Sequence, residues 1–64
     1  MRDYVLRYSL DQQRIISIRY KKEEKIELRK IKVLKIHEED IKAYCYLRHG
    51  VRSFKINNIL SAIM

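Results

Sequence analysis

The sequence predicts a mainly β fold, a small SH3-like barrel of about five strands with a short N-terminal helix. Segments in which apolar and polar residues alternate recur along the chain, and clusters of charged or polar residues separate them. Several short strands with turn signals between them are typical of small sheets that curl on themselves. With 64 residues the chain buries only about 60% of its unfolded surface. We therefore expect a single domain over residues 1–64 with a thin core.

The first segment, residues 3–13, predicts the helix. The Tyr4–Tyr8 and Leu6–Leu10 spacings place apolar side chains one turn apart, and Asp3 is a candidate N-cap. The same residues also alternate as a strand would, so the pattern leaves both structures open. The polar run at residues 11–14 ends the segment, and we take the helix as the prediction.

Two strands follow the helix. Residues 15–21 alternate regularly, with Ile16, Ile18 and Tyr20 on one face. Residues 25–36 form the second strand, but their apolar positions change phase along it. Such a change predicts a bulge or a sharp bend, which we expect near Arg29–Lys30.

The third strand is expected at residues 41–48, and its alternation is regular. The fourth is expected at residues 51–56 and a short last strand at 60–64. Gly50 is the single glycine, and we expect it to supply the positive φ of a tight hairpin turn. The third strand would place one set of side chains inward and another outward: Ile41, Ala43, Cys45 and Leu47 inward, Lys42, Tyr44, Tyr46 and Arg48 outward.

Charge is the strongest compositional signal. Lys and Arg number 15 and Asp and Glu 8, which gives a formal net charge of +7. This excess favours acidic partners such as nucleic acid or nucleotides. The alternative is that a small domain uses charge for solubility, for which magnitudes of about 2–8 are ordinary.

Several features bear on where the protein acts. No apolar segment approaches the roughly 18 residues that a membrane span requires, and charged residues interrupt the N-terminus where a signal peptide would be apolar. The single cysteine, Cys45, excludes an intrachain disulfide and suits a reducing compartment. We expect a cytoplasmic protein with no membrane partner.

The outward set of the third strand is the main candidate for function. It interleaves two tyrosines, Tyr44 and Tyr46, with cations, and the hairpin partner adds Arg52. Aromatic rings can stack nucleobases while Arg and Lys side chains bind phosphate. The alternative is an ordinary solvated face of a half-exposed sheet, and for Arg52 a structural pairing with Glu27 or Glu39 or a ring.

Enzymatic and metal-binding roles find no support in the sequence. Cys45, His37 and His49 lack the paired short spacings of zinc sites, and we expect no metal and no cofactor. No catalytic triad pattern and no glycine-rich phosphate loop is present. We expect a binding protein and not an enzyme.

The C-terminal hairpin carries a resemblance to a known family. Residues 43–48 read AYCYLR, residues 51–59 read VRSFKINNI, and the first strand reads ISIRY at residues 16–20. These stretches resemble the WYL domain family, in which a strand ending "ayc-x-lr" leads into "R-x-F" and a later Ile. Two departures are visible. Glu39-Asp40-Ile41 stands where the family has Trp-Tyr-Leu, and the proline of the second strand is missing.

The resemblance implies an SH3-like or Sm-like barrel that senses a ligand. In bacterial transcription regulators this barrel is usually fused to a DNA-binding winged helix, whereas this chain has no such segment, so we expect a stand-alone sensor. The family implies a nucleotide or single-stranded nucleic acid as the ligand, bound through Arg and Tyr side chains. Carried over position by position, the implied ligand-binding residues are Tyr20, Arg29, Tyr44, Arg48 and Arg52.

A second functional hypothesis remains open beside the first. The apolar residues that a thin core leaves over could form a homodimer or a docking surface for another protein. The residues that we expect to serve this role are Ile15, Ile31 and Met64. The two hypotheses do not exclude each other.

Overall fold

The computed structural model describes residues 2–64, which form one α-helix, one short 3-10 helix and five strands. The mainly β class and the N-terminal helix are confirmed. Every pairing in the sheet is antiparallel, and the strand order is β4-β3-β2-β1-β5. The elements are α1 (Arg2–Gln12), β1 (Ile15–Lys22), β2 (Lys25–His37), β3 (Asp40–Cys45), β4 (Gly50–Lys55), a 3-10 helix (Ile56–Asn58) and β5 (Ile59–Ile63).

One apolar core lies on the inner face of the sheet. Each strand contributes alternate side chains to it, and α1 covers it from the side of β2 and β5. Among the described residues, the buried apolar side chains are Val5, Leu6, Ile16, Ile18, Ile31, Val33, Ile41, Ala43, Cys45, Phe54, Ile59 and Ala62. Ile31 is fully buried, so the expectation that it serves a docking surface is wrong.

The helix begins one residue earlier than the sequence pattern suggests. Asp3 lies in its first turn and pairs with Arg2 at 2.9 Å, and so it is not the N-cap. A guanidinium nitrogen of Arg2 also donates to the carbonyls of Ile56 and Ile59, both at 3.3 Å. These bonds tie the start of α1 to the 3-10 helix and the start of β5.

The bulge in β2 lies further along the strand than expected. The pairing of β1 with β2 runs without a shift from Lys25 to Lys32, so no bulge occurs near Arg29–Lys30. The register shifts instead between Val33 and Lys35, in the pairing with β3. The apolar residues before the bulge simply face outward, where Leu28 is 71% exposed.

The hairpin of β3 and β4 also differs from the expectation. β3 ends at Cys45, and the turn occupies residues 46–49, so the alternation does not continue to Arg48. Gly50 has no positive φ. His49 adopts it instead, at 56°, and Gly50 pairs with Cys45 as the first residue of β4. Histidine is among the residues that visit this left-handed region more often than most.

Candidate ligand-binding cleft

A concave cleft of about 220 Å³ opens where β1, β2 and β4 approach one another. It is called the basic cleft below. Four of the five residues that the family resemblance implies line it. Its described lining residues are Tyr20, Lys21, Lys22, Glu23, Glu27, Arg29, Cys45, Arg48, Arg52, Ser53, Phe54 and Asn58.

The cleft exists because the sheet curls. β1 and β4 are separated by two strands in the sheet order, yet the rings of Tyr20 and Phe54 meet edge to face with centroids 5.0 Å apart. The hydroxyl of Tyr20 also accepts a hydrogen bond from the backbone N–H of Lys55 at 3.3 Å. These contacts bring the ends of β1 and β4 together and form one wall.

Strand register explains why charged side chains face this interior. Arg52 lies opposite Ala43, and Phe54 lies opposite Ile41, so Arg52 belongs to the same face of β4 as a core residue. In the first half of β2 the inward residues are Glu27, opposite Tyr20, and Arg29, opposite Ile18. The apolar interior therefore continues into a charged opening at one end of the sheet.

The electrostatic character of the basic cleft is positive. Five of its lining side chains are cations and two are carboxylates, a formal excess of three positive charges. Within residues 2–64, neither Arg48 nor Arg52 forms an ion pair with a carboxylate. The structural pairing of Arg52 with Glu27 or Glu39 that the sequence left open is therefore not present.

Arg29 is held in place, in contrast to the other two arginines. Its guanidinium donates to the Glu27 carboxylate at 2.7 Å and to the carbonyl of Leu28 at 3.0 Å. The side chains of Arg29 and Glu27 are 13% and 32% exposed, so the pair is partly shielded from water. A charge-assisted bond of this length fixes the orientation of the guanidinium.

Tyr44 does not join the other predicted site residues. It lies on the outer face of β3, opposite Val51 and Lys32, and packs edge to face on Tyr46 at 4.8 Å between centroids. Arg48 lines the basic cleft because it belongs to the turn, not to the strand. The outward set expected on one strand is thus divided between two sides of the sheet.

Several lining residues were not predicted from the sequence. Lys21, Lys22 and Glu27 belong to the hairpin of β1 and β2, and Asn58 belongs to the 3-10 helix. The signal that could have located Glu27 is the phase change in β2. In this part of β2 the apolar side chains point outward, so the charged side chains between them point inward. Inward-pointing charged residues commonly mark a site.

The described residues offer neither a metal-binding group nor a membrane-spanning helix. Over residues 2–64, no three His, Cys, Asp or Glu side chains gather into a group that could hold a metal ion. The same range contains no helix with both the length and the apolar character needed to cross a bilayer.

Comparison with known proteins identifies a similar fold. No family model matches the sequence, and no curated protein does. Among solved structures, the fold is similar to part of proteasome accessory factor B/C (PafBC) of Arthrobacter aurescens, with a TM-score of 0.80 and 20% sequence identity. The match covers 94% of this chain and 10% of that chain. This chain therefore has the fold of a small segment of a much longer protein.

Proposed function

We propose that this chain is a non-enzymatic regulatory binding module, a divergent relative of the WYL domains. In this proposal the basic cleft binds an anionic ligand, either a nucleotide or single-stranded nucleic acid. The process it serves is transcription regulation or another process that involves nucleic acid. Arg29, Arg48 and Arg52 bind phosphate, and Tyr20 supplies an aromatic ring beside them.

The proposal rests on where the three arginines lie and on which of them have carboxylate partners. Arg48 and Arg52 lie in a concave opening without carboxylate partners, so their guanidinium groups are available to an anion. Arg29 is already oriented by Glu27, which lowers the entropy that it loses when it binds. Guanidinium groups match phosphate bidentately, and several in one cleft favour a phosphorylated ligand over a single carboxylate.

The volume of the cleft limits what it can hold. Pockets for drug-sized ligands are about 300–1,000 Å³, and this cleft is smaller, at about 220 Å³. A cleft of this size can enclose only part of a nucleotide, so the remainder of the ligand would lie at its open side. Two aromatic rings, Tyr20 and Phe54, line it, and Tyr20 is the more exposed of the two, so a base that packs on an aromatic side chain packs there.

The shared fold supports a modular role. The corresponding part of PafBC makes up 10% of a chain whose name describes a proteasome accessory factor. A domain of this kind therefore occurs as one unit of a larger protein, as the family resemblance implies for sensor barrels. The shared fold bears only on the architecture of the domain. The class of ligand is inferred from the arginines.

Fluorescence anisotropy with labelled single-stranded RNA, single-stranded DNA and a nucleoside triphosphate tests the proposal. We expect binding of at least one probe at low salt and a linear fall of log K with log salt. A slope of about −0.7 per phosphate contacted predicts roughly −1.4 to −2.1 for two or three contacts on a single strand. Arg52→Ala and Arg48→Ala should each weaken binding and reduce the slope for oligonucleotides by about 0.7.

Matched variants separate the cleft from the overall charge. Arg7→Ala removes the same charge from an exposed position on α1 outside the basic cleft and should leave affinity almost unchanged. Tyr44→Ser should also leave affinity unchanged, whereas Tyr20→Leu should lower it. Absence of binding for all three probes at low salt contradicts the proposal. Equal losses for Arg7→Ala and Arg52→Ala contradict the location in the cleft.

A further inference from the structure

A second concavity lies on the outer face of the sheet, away from the apolar core. It measures about 570 Å³ and is called the outer groove below. Leu28, Leu47 and Ile63 line it and are 71%, 60% and 63% exposed. Its described lining residues are Ser17, Leu28, Arg29, Lys30, Tyr46, Leu47 and Ile63.

Strand pairing builds the groove. Ser17 of β1 lies opposite Ile63 of β5 on one side and Lys30 of β2 on the other. The carbonyl of Lys30 accepts the backbone N–H of Tyr46 at 3.0 Å, which brings the start of the hairpin turn to the same row. The small side chain of Ser17 thus forms the floor between larger neighbours.

The groove exposes apolar side chains that do not contribute to the core of the domain. Large aliphatic side chains that lie together on the surface of a small protein, with polar residues around them, mark interaction sites. Leu28 is a clear example. The strand places it outward although the thin core of such a short chain would gain from burying it.

Hydrogen bonding limits how a partner can dock. β1 is paired on both sides, with β2 and β5, and β2 is paired with β1 and β3. The floor of the groove therefore offers no free row of backbone N–H and C=O groups to an added strand. β5, which contributes Ile63, lies at the edge of the sheet, so a free backbone row exists only at that border of the groove. A partner that lies on the floor binds by its side chains, as an amphipathic helix does in an apolar groove.

The charges around the groove indicate which kind of partner helix would bind there. None of the described lining residues is acidic, Arg29 and Lys30 are cations, and Arg19 lies opposite Leu28 at the border. We infer that the outer groove binds an acidic amphipathic helix of another protein, whose apolar side chains enter between Leu28, Leu47 and Ile63. Its carboxylates lie beside Lys30 and Arg19.

A second copy of this chain fits the groove poorly. Each copy has a formal net charge of +7, so a symmetric contact brings like charges together. Its single described α-helix, α1, already packs its apolar face on β2 and β5 of its own sheet. The inference goes beyond ligand binding, because the groove lies on the opposite face of the sheet from most of the basic cleft.

The test titrates the 15N-labelled protein with a synthetic acidic helix of about 18 residues, long enough to be helical. The peptide carries Leu at positions i, i+3, i+4 and i+7 and Glu on its remaining surface. We expect amide shift changes that cluster at Ser17, Leu28, Leu47 and Ile63. Leu28→Ser should weaken binding by about tenfold or more, since it removes a Leu side chain from the contact.

Three controls make the result specific. Val51→Ser changes another exposed apolar residue of the sheet that lies outside the groove, and it should leave affinity unchanged. A peptide with Lys in place of Glu should bind at least about tenfold more weakly, as expected for a charge-dependent contact. Arg52→Ala should have no effect, so this test can fail or succeed independently of the basic cleft.

Four outcomes would overturn the inference. The first is the absence of shift changes with millimolar peptide, and the second is equal binding of the Lys peptide. The third is a dimer in sedimentation velocity that Leu28→Ser abolishes, which would assign the groove to a second copy. The fourth is binding to vesicles of phosphatidylcholine and phosphatidylglycerol that is lost in Leu28→Ser without any binding of the peptide.

Discussion

The ring of Tyr20 on β1 contacts the ring of Phe54 on β4 edge to face, with 5.0 Å between centroids and 82° between planes. Because β2 and β3 lie between these strands in the sheet order, the contact links two strands that share no backbone hydrogen bonds. Edge-to-face pairs of this geometry contribute about 0.5–1.5 kcal/mol beyond the area that they bury. The pair therefore stabilises the curl of the sheet and shapes one wall of the basic cleft.

A double-mutant cycle measures this contact. The variants Tyr20→Leu, Phe54→Leu and the double variant should give a coupling energy of about 0.5–1.5 kcal/mol in urea unfolding. Tyr20 and Tyr44 form the matched control pair, since Tyr44 lies on the outer face, and their effects should add to within about 0.5 kcal/mol. A Tyr20–Phe54 coupling no larger than that of the control pair would mean that the rings do not stabilise the curl.

Ser9 is the one buried polar side chain in the described core. Its hydroxyl donates to the carbonyl of Arg14 at 2.6 Å and accepts the N–H of Val33 at 2.9 Å, so it connects the end of α1 to β2. Ser9→Ala leaves both backbone groups without this partner. We expect a loss of about 1–3 kcal/mol in the free energy of unfolding. For the control Ser53→Ala, at an exposed position, the free energy of unfolding should change by no more than about 0.5 kcal/mol. An equally small loss for Ser9→Ala would show that other groups or water replace its hydroxyl.

The end of α1 offers a stabilising change. Gln13 has a φ of 55°, and the N–H of Arg14 donates to the carbonyl of Ser9 at 3.1 Å, which is the bond of a Schellman motif. Glycine adopts this left-handed conformation without steric cost. Gln13→Gly removes the exposed bond from the side-chain amide to the carbonyl of Leu10, 2.9 Å long, and the relief of backbone strain exceeds that loss. The free energy of unfolding should therefore rise by about 0.5–1 kcal/mol. Gln12→Gly, at a helical position, should lower the free energy of unfolding by a similar amount. Urea unfolding measures both variants, and a change in the same direction for both would contradict this explanation.

The elements could be predicted from the sequence because most of them follow simple alternation. Ile16 and Ile18 face inward as the pattern predicts, and so do Ala43 and Cys45. The rule fails in the first half of β2, where Leu28 faces outward and Arg29 inward. Reading a strand by alternation assigns its apolar side chains to the core. This reading fails for a strand whose inward side chains line a charged cleft. The failure thus coincides with the candidate site.

Arg48 illustrates a different limit. Its inclusion in the basic cleft depends on a turn of four residues, whereas the strand pattern continued through Tyr46 and Leu47. The chain turns there at His49, which adopts the positive φ that a glycine was expected to supply. Local propensity favours glycine for that conformation. The positive φ lies one residue before the expected Gly50, and a shift of one residue moves a side chain to the other face.

Glu27 provides the sharpest test of the electrostatics of the cleft. Its carboxylate holds Arg29 at 2.7 Å but also repels an incoming phosphate. Glu27→Gln keeps an amide oxygen as acceptor for Arg29 and removes the negative charge. Two charges several ångströms apart near a protein surface interact by a few kcal/mol at most, and exposure reduces this value. We therefore expect anion affinity to rise by roughly threefold to tenfold, measured by anisotropy at low salt.

Glu24→Gln is the matched control for this change. Glu24 lies in the turn next to Glu23 but does not line the basic cleft, and its removal makes the same difference to net charge. Because salt screens charges that are further apart, its effect should be smaller than that of Glu27→Gln and should vanish in higher salt. Weaker binding in Glu27→Gln would mean that the orientation of Arg29 matters more than the repulsion. Equal gains in the two variants would mean that the anion responds to overall charge and binds outside the cleft.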